Sequence, residues 1–151
     1  MRSTKPVLLV EDDAIDAMTV RRAFRDLKLG NPLAHAADGE EALAYLRDEE
    51  NAKPCVILLD LNMPRMNGVE FMQVAKADPV LRRIPVVVLT TSGDDRDIVA
   101  SYKLSVAGYI VKPVDYKKFV EAIRMIDMYW TISELPQEHV ETECVGGRSQ
   151  V

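Results

Sequence analysis

The chain has 151 residues, 48% hydrophobic and 28% charged, which suits one globular domain with a proper core and leaves no room for a second. Its net charge is -5, and its basic residues fall in short groups such as Arg21-Arg22-Arg25 and Arg82-Arg83. That pattern reads as solvated helix faces and argues against direct DNA binding. The opening Met1-Arg2-Ser3-Thr4-Lys5 precedes an apolar run far too short for a signal peptide or a membrane span. Cys55 and Cys144 have no metal-ligand spacing, so a reducing cytoplasm is the expected setting, and the isolated His35 and His139 read as structural or exposed.

Lys5 to Val10 reads as a first strand that delivers Glu11-Asp12-Asp13. A helix follows, with Ala17, Val20, Phe24 and Leu27 on one face, Asp13 as its N-cap and Gly30-Asn31-Pro32 as its stop. Leu33 to Ala37 is a second, weaker strand, and Asp38-Gly39-Glu40-Glu41 resembles a capping box at the start of a second helix. Val56-Ile57-Leu58-Leu59-Asp60 is a short apolar run without polar alternation, as in a strand buried on both faces of a parallel sheet. Pro64 and Asn67-Gly68 mark the loop after it, and Asn67 with Glu70 predicts the cap of a third helix that turns Phe71, Met72 and Ala75 inward. A fourth strand, Val86 to Leu89, delivers Thr90-Thr91-Ser92. An acidic turn then leads into a helix reaching about Leu104. Ala107 to Val111 is a fifth strand delivering Lys112-Pro113, and the last helix starts near Asp115.

Strand-then-helix units in this succession predict an α/β fold, a doubly wound five-stranded parallel sheet in the order 2-1-3-4-5. Such sheets bind ligands at the carboxyl ends of their strands. The ends here deliver Glu11 and Asp12, then Asp60, Thr90 and Lys112. Three converging carboxylates repel one another unless a cation compensates, and hard oxygen ligands with open positions suit Mg²⁺. A lysine and a hydroxyl beside them are what a doubly charged phosphoryl group needs. Asp60 then combines two roles, metal ligand and nucleophile toward phosphorus.

The set Val-Glu-Asp-Asp (10–13), Leu-Asp-Leu-Asn-Met-Pro-x-Met-Asn-Gly (59–68), Val-Leu-Thr (88–90) and Gly-Tyr-x-x-Lys-Pro (108–113) resembles the receiver domain of two-component response regulators, with its flavodoxin-like (βα)5 fold. The resemblance covers roughly residues 5 to 128. It implies that Asp60 is the acceptor of a phosphoryl group from a sensor histidine kinase. It further implies that Asp12 is a direct Mg²⁺ ligand, that Glu11 acts on the metal through water, and that Asn62 offers its backbone carbonyl. By the same resemblance Thr90 is a switch hydroxyl, Tyr109 an aromatic switch and Lys112 the phosphoryl-binding lysine, with Lys112-Pro113 a cis peptide. Thr91 departs from the small residue the family usually carries there. Thr-Thr-Ser, Gly-Tyr-Ile-Val-Lys-Pro-Val and Tyr-Trp-x-x-x-x-Leu-Pro (129–136) resemble, more narrowly, the small regulators that partner phytochrome-type kinases.

The expected organisation is a receiver domain over residues 1–131 and a C-terminal extension over 132–151, partly disordered and without an output domain. The final helix carries one apolar stripe (Phe119, Ala122, Ile123, Ile126, Trp130) that suffices to cover a sheet. A second (Met125, Met128, Tyr129, Ile132) suggests that another surface covers it, either the chain's own tail or a second subunit; a homodimer is the expectation, and the resemblance to the phytochrome-partner regulators implies that the extension helps to form it. Two rival functions share the chemistry or the fold. A phosphatase of the haloacid dehalogenase class also forms an aspartyl phosphate, but needs an acid where Asn62 stands. A flavodoxin-like flavin carrier would meet repulsion between its phosphate and Glu11-Asp12-Asp13. The resemblance therefore implies a phosphoacceptor rather than an enzyme acting on an external substrate.

Overall fold

The computed structural model describes residues 5–90, 94–112 and 115–140. Its elements are β1 (Val7–Val10), α1 (Ala14–Asp26), β2 (Leu33–Ala36), α2 (Gly39–Arg47), β3 (Val56–Asp60), α3 (Gly68–Ala77), β4 (Val86–Thr90), α4 (Asp94–Ser101), β5 (Gly108–Val111) and α5 (Tyr116–Val140). A single 3-10 turn, Leu81–Arg83, precedes β4. The strands pair in parallel in the order β2-β1-β3-β4-β5, as the strand-helix alternation predicts.

Why β1, β3 and β4 are central follows from their composition. Every residue of these strands is buried, whereas the edge strands β2 and β5 are only partly covered. Strand alternation splits the core into two layers. Leu8, Val10, Ile57, Leu59 and Val88 pack under α2 and α3. Val7, Leu9, Leu58, Val87 and Ile110 pack under α1 and α5, chiefly against Val20, Phe24, Phe119 and Ile123. At the rim of this second layer the Tyr116 hydroxyl donates to Asp26 at 2.7 Å while the Arg22 guanidinium sits 4.1 Å from the ring centre.

Helix starts follow the side-chain caps. Asp13 accepts from the N–H groups of Ile15 and Asp16, and Asn67 and Glu70 form a reciprocal capping box at α3. At α2 the arrangement is shifted. Asp38 accepts from Glu41 N–H, but the Glu41 carboxylate reaches Ala37 rather than Asp38.

Helix ends differ from expectation. α1 stops at Asp26, ahead of Gly30-Asn31-Pro32, because Lys28 turns left-handed (φ 56) and Lys28 and Leu29 donate back to the Arg25 and Phe24 carbonyls. Lys103 (φ 55) closes α4 in the same way, with Leu104 donating to Val99, so that helix ends at Ser101 and not near Leu104. Glycine usually fills this place, since a Cβ crowds the backbone there. Lys28→Gly and Lys103→Gly are each expected to raise stability by roughly 0.5–1 kcal/mol, read from the urea midpoint. An unchanged or lower midpoint in both would contradict this reading of the helix ends.

α5 begins after Asp115, whose carboxylate accepts from the N–H groups of Lys117 and Lys118. It continues beyond residue 131 to Val140. The side chains of Tyr129, Trp130 and Ile132, and the expected disorder near the terminus, lie outside the described residues, as do Thr91 and the Lys112-Pro113 peptide. No helix among the described residues is long and apolar enough to cross a membrane.

Candidate functional site

β1 and β3 lie side by side with Val10 level with Leu59, so the next residue of each chain, Glu11 and Asp60, emerges at the same sheet edge. Both are buried. β5 ends two strands away from β3, and its next residue, Lys112, has a side chain long enough to cross β4. The Lys112 Nζ stands 3.0 Å from Glu11 Oε1, 3.0 Å from Asp16 Oδ2 and 3.4 Å from Asp60 Oδ1. The backbone fixes its root, because Lys112 N–H donates to the Thr90 carbonyl at 2.8 Å. Asp12 is exposed at the mouth of the same pocket, and Asn62 lines it with its N–H directed at Asp60 Oδ1 (3.3 Å).

The cluster suits a divalent cation. One oxygen each from Glu11, Asp12 and Asp60 falls within a span of 4.8 Å. Glu11 Oε1 is buried, and the Lys112 ammonium lies 3.0 Å from it. Hard anionic oxygens on a pocket open to water are the donor set that Mg²⁺ and similar ions accept.

The electrostatics carry the same message. Burial pushes the Glu11 carboxyl up from 4.5 to about 7, with the Asp60 charge adding to the rise and Lys112 opposing it. Burial also raises Asp60, against the pull of the Lys112 charge. Burial alone would depress the Lys112 ammonium, but its contacts with Glu11 and Asp16 and the charges of Asp60 and Glu11 prevail, and it stands above the usual lysine value.

Between the unfolded and folded values of Glu11 the folded state holds a proton that the unfolded state has released, so stability falls as pH rises through that window. Asp60 acts in the same direction, and Lys112 does not titrate there. The metal-free protein is expected to lose about 4 °C of melting temperature between about pH 5 and about pH 8. Millimolar Mg²⁺ should restore far more of it at the higher pH, where it meets an ionised Glu11. A thermal melt that is flat across this range, with or without Mg²⁺, would contradict the arrangement.

Thr90 and Tyr109 are placed differently from the other expected site residues. Thr90 is buried at the end of β4. By strand alternation it shares the α3/α4 face with Tyr109. Tyr109 is half-buried on that face, with the Arg96 guanidinium 4.5 Å from its ring centre.

Three residues take part in ways the sequence reading does not assign. Asp16 is a third carboxylate on Lys112. His35, read as isolated, donates from Nε2 to the Glu11 carbonyl at 2.7 Å while its Nδ1 faces Arg21 at 3.3 Å, so it braces the turn that carries the acidic pair. Arg65, in a left-handed conformation (φ 61), forms ion pairs with Asp38, Glu40 and Glu41, and Gly39 N–H donates to the Met66 carbonyl at 2.9 Å. Together these contacts fasten the loop after Asp60 onto the start of α2.

The chain matches known proteins over most of its length. The family model described as "Response regulator receiver domain" matches residues 7–124. Response regulator Rcp1 of Synechocystis sp. is 38% identical over 130 residues, covering 83% of this chain and 88% of Rcp1. A crystal structure of the phosphorylated cyanobacterial phytochrome response regulator RcpA superposes with a TM-score of 0.74 at 38% identity, covering 85% of this chain and 94% of that one. The Mn²⁺-bound form of Rcp1 gives a TM-score of 0.73 at 37% identity, over 84% of this chain and 94% of that one.

Proposed function

The chain belongs to the family of response regulator receiver domains, and from that premise we propose that it accepts a phosphoryl group on Asp60 from a sensor histidine kinase of the phytochrome type. The observation that carries this reading is the meeting of the Lys112 ammonium with the buried carboxylates of Glu11 and Asp60, beside the exposed Asp12. In the transfer an Asp60 carboxylate oxygen attacks phosphorus, the phosphorus–nitrogen bond of the phosphohistidine breaks, and the imidazole leaves with the bonding pair and takes up a proton. Lys112 neutralises charge on the transferred group, and Asn62 N–H holds the Asp60 side chain in line. Glu11, Asp12, Asp60 and the Asn62 backbone carbonyl would hold Mg²⁺, which when bound neutralises the phosphoryl oxygens. Thr90 and Tyr109, on the opposite sheet face, are the switch pair that reports the modification to α4 and β5. The relatives support the cofactor and the partner: Rcp1 has an Mn²⁺-bound form, and RcpA is a phosphorylated phytochrome response regulator.

On this reading the protein is a phosphoacceptor and not an enzyme acting on an external substrate, it works in the cytoplasm, and it does not bind DNA directly. Residues 1–131 form the receiver and 132–151 an extension. The helix α5, with 25 residues, is about 38 Å long, roughly two and a half times the length of the strands it covers. Its exposed Met125 (62%) and Met128 (52%) support a homodimer formed through this helix and the extension.

The kinase arm has a separable test. Ile15 (74% exposed) lines the pocket, and with Met18 (63%) three residues on along α1 it offers an apolar landing surface for a helical partner. Ile15→Lys is expected to slow transfer from a phytochrome-type kinase about tenfold while labelling by a small phosphodonor stays within about twofold. Equal slowing with both donors, or with neither, would rule out α1 as the landing surface. Failure of transfer from any such kinase, in light or in darkness, would remove the phytochrome partner.

A further inference from the structure

We infer that Asp16 is a positioning residue that restrains Lys112 and thereby limits how tightly the phosphoryl group is held; this rests on the phosphoacceptor reading of Asp60. Lys112 contacts three carboxylates, at 3.0 Å for Glu11, 3.0 Å for Asp16 and 3.4 Å for Asp60. Two of them belong to the cation cluster, and Asp16 does not. With Glu11 and Asp60 engaged by a metal, Asp16 would be the carboxylate partner left to the ammonium.

Its placement is fixed by the helix. Asp16 lies in the first turn of α1, its N–H is bound by the Asp13 cap at 3.0 Å, and its side chain, about one-third exposed, lines the pocket. A phosphoryl group arriving on Asp60 carries up to two negative charges and recruits the same ammonium. Lys112 must then give up or share its 3.0 Å contact with Asp16, and that competition weakens the hold on the phosphoryl group. The residue therefore favours handing the group on over storing it. A helix-capping role alone would not involve Lys112, which is 96 positions away.

The test uses beryllium trifluoride, a stable mimic of the aspartyl phosphoryl group, titrated into the full chain at saturating Mg²⁺. Asp16→Asn is expected to bind it about fivefold more tightly than the unaltered protein, and Asp16→Glu, which keeps the charge, within about twofold. In a Lys112→Gln background Asp16→Asn is expected to change the affinity by less than about twofold, because the restraint acts through the lysine. Unchanged or weaker binding by Asp16→Asn, or an equal gain without Lys112, overturns the inference. Failure of the unaltered protein to bind the mimic overturns the phosphoacceptor reading with it, and so separates the two. A side chain this accessible in a first helical turn is replaced without loss of the fold, which Asp16→Ser, expected to behave as Asp16→Asn, verifies independently.

Discussion

Gly68→Ala is expected to destabilise the protein by about 3 kcal/mol and to abolish metal binding at neutral pH. A Cβ at this position would stand 2.6 Å from the Asp60 carbonyl oxygen and 2.7 Å from the Leu61 Cα. Both are backbone atoms at the end of the fully buried β3, so no side-chain rotation relieves the overlap. Relief requires the start of α3 to move off the sheet. That movement strains the Gly68 N–H bond to the Leu61 carbonyl (3.0 Å) and the loop bearing Asn62, and with them the setting of Asp60. Gly30 provides the matched control, since nothing stands within 4 Å of a Cβ there. Gly30→Ala should leave stability unchanged or raise it by up to about 1 kcal/mol. Urea denaturation and Mn²⁺ titration of the two variants check the pair. Similar midpoints for both would show that the close approach at Gly68 does not position the site.

How much of this was legible in the sequence varied with the range of the interaction. The three central strands announced themselves because double-sided burial leaves no polar alternation, and Val56–Asp60 has the predicted bounds to the residue. The Asn67/Glu70 capping box was equally clear, since both partners lie within one helical turn. Parallel topology then brought Glu11, Asp12, Asp60 and Lys112 to one edge, as strand-end logic requires. What escaped was chemistry without a local signature. Asp16 reads as an ordinary acid in a first helical turn until the fold brings Lys112 to it. His35 sits on an edge strand, and its bond to the Glu11 carbonyl depends on the pairing of β1 with β2. The ends of α1 and α4 carry no such sign, because lysine occupies the left-handed position where glycine is the familiar one. Tyr109 was assigned a switch role by resemblance, whereas its stacking against Arg96 is visible only once α4 is packed on β5.

Asp60→Asn is expected to remove phosphorylation completely without harming the fold. The amide keeps the shape of the side chain but offers no anionic oxygen to phosphorus. It also relieves the crowding of two buried carboxyls, Glu11 and Asp60, whose pKa values are both raised. The metal-free variant should therefore melt no lower than the unaltered protein, which distinguishes lost chemistry from lost structure. Lys112, still contacting Glu11 and Asp16, has partners enough to stay in place. The direct measurement is intact-mass spectrometry after incubation with Mg²⁺ and acetyl phosphate. The unaltered protein should gain one phosphoryl group and Asp60→Asn none; no gain in the former, or a gain that survives the substitution, would contradict Asp60 as the phosphoacceptor.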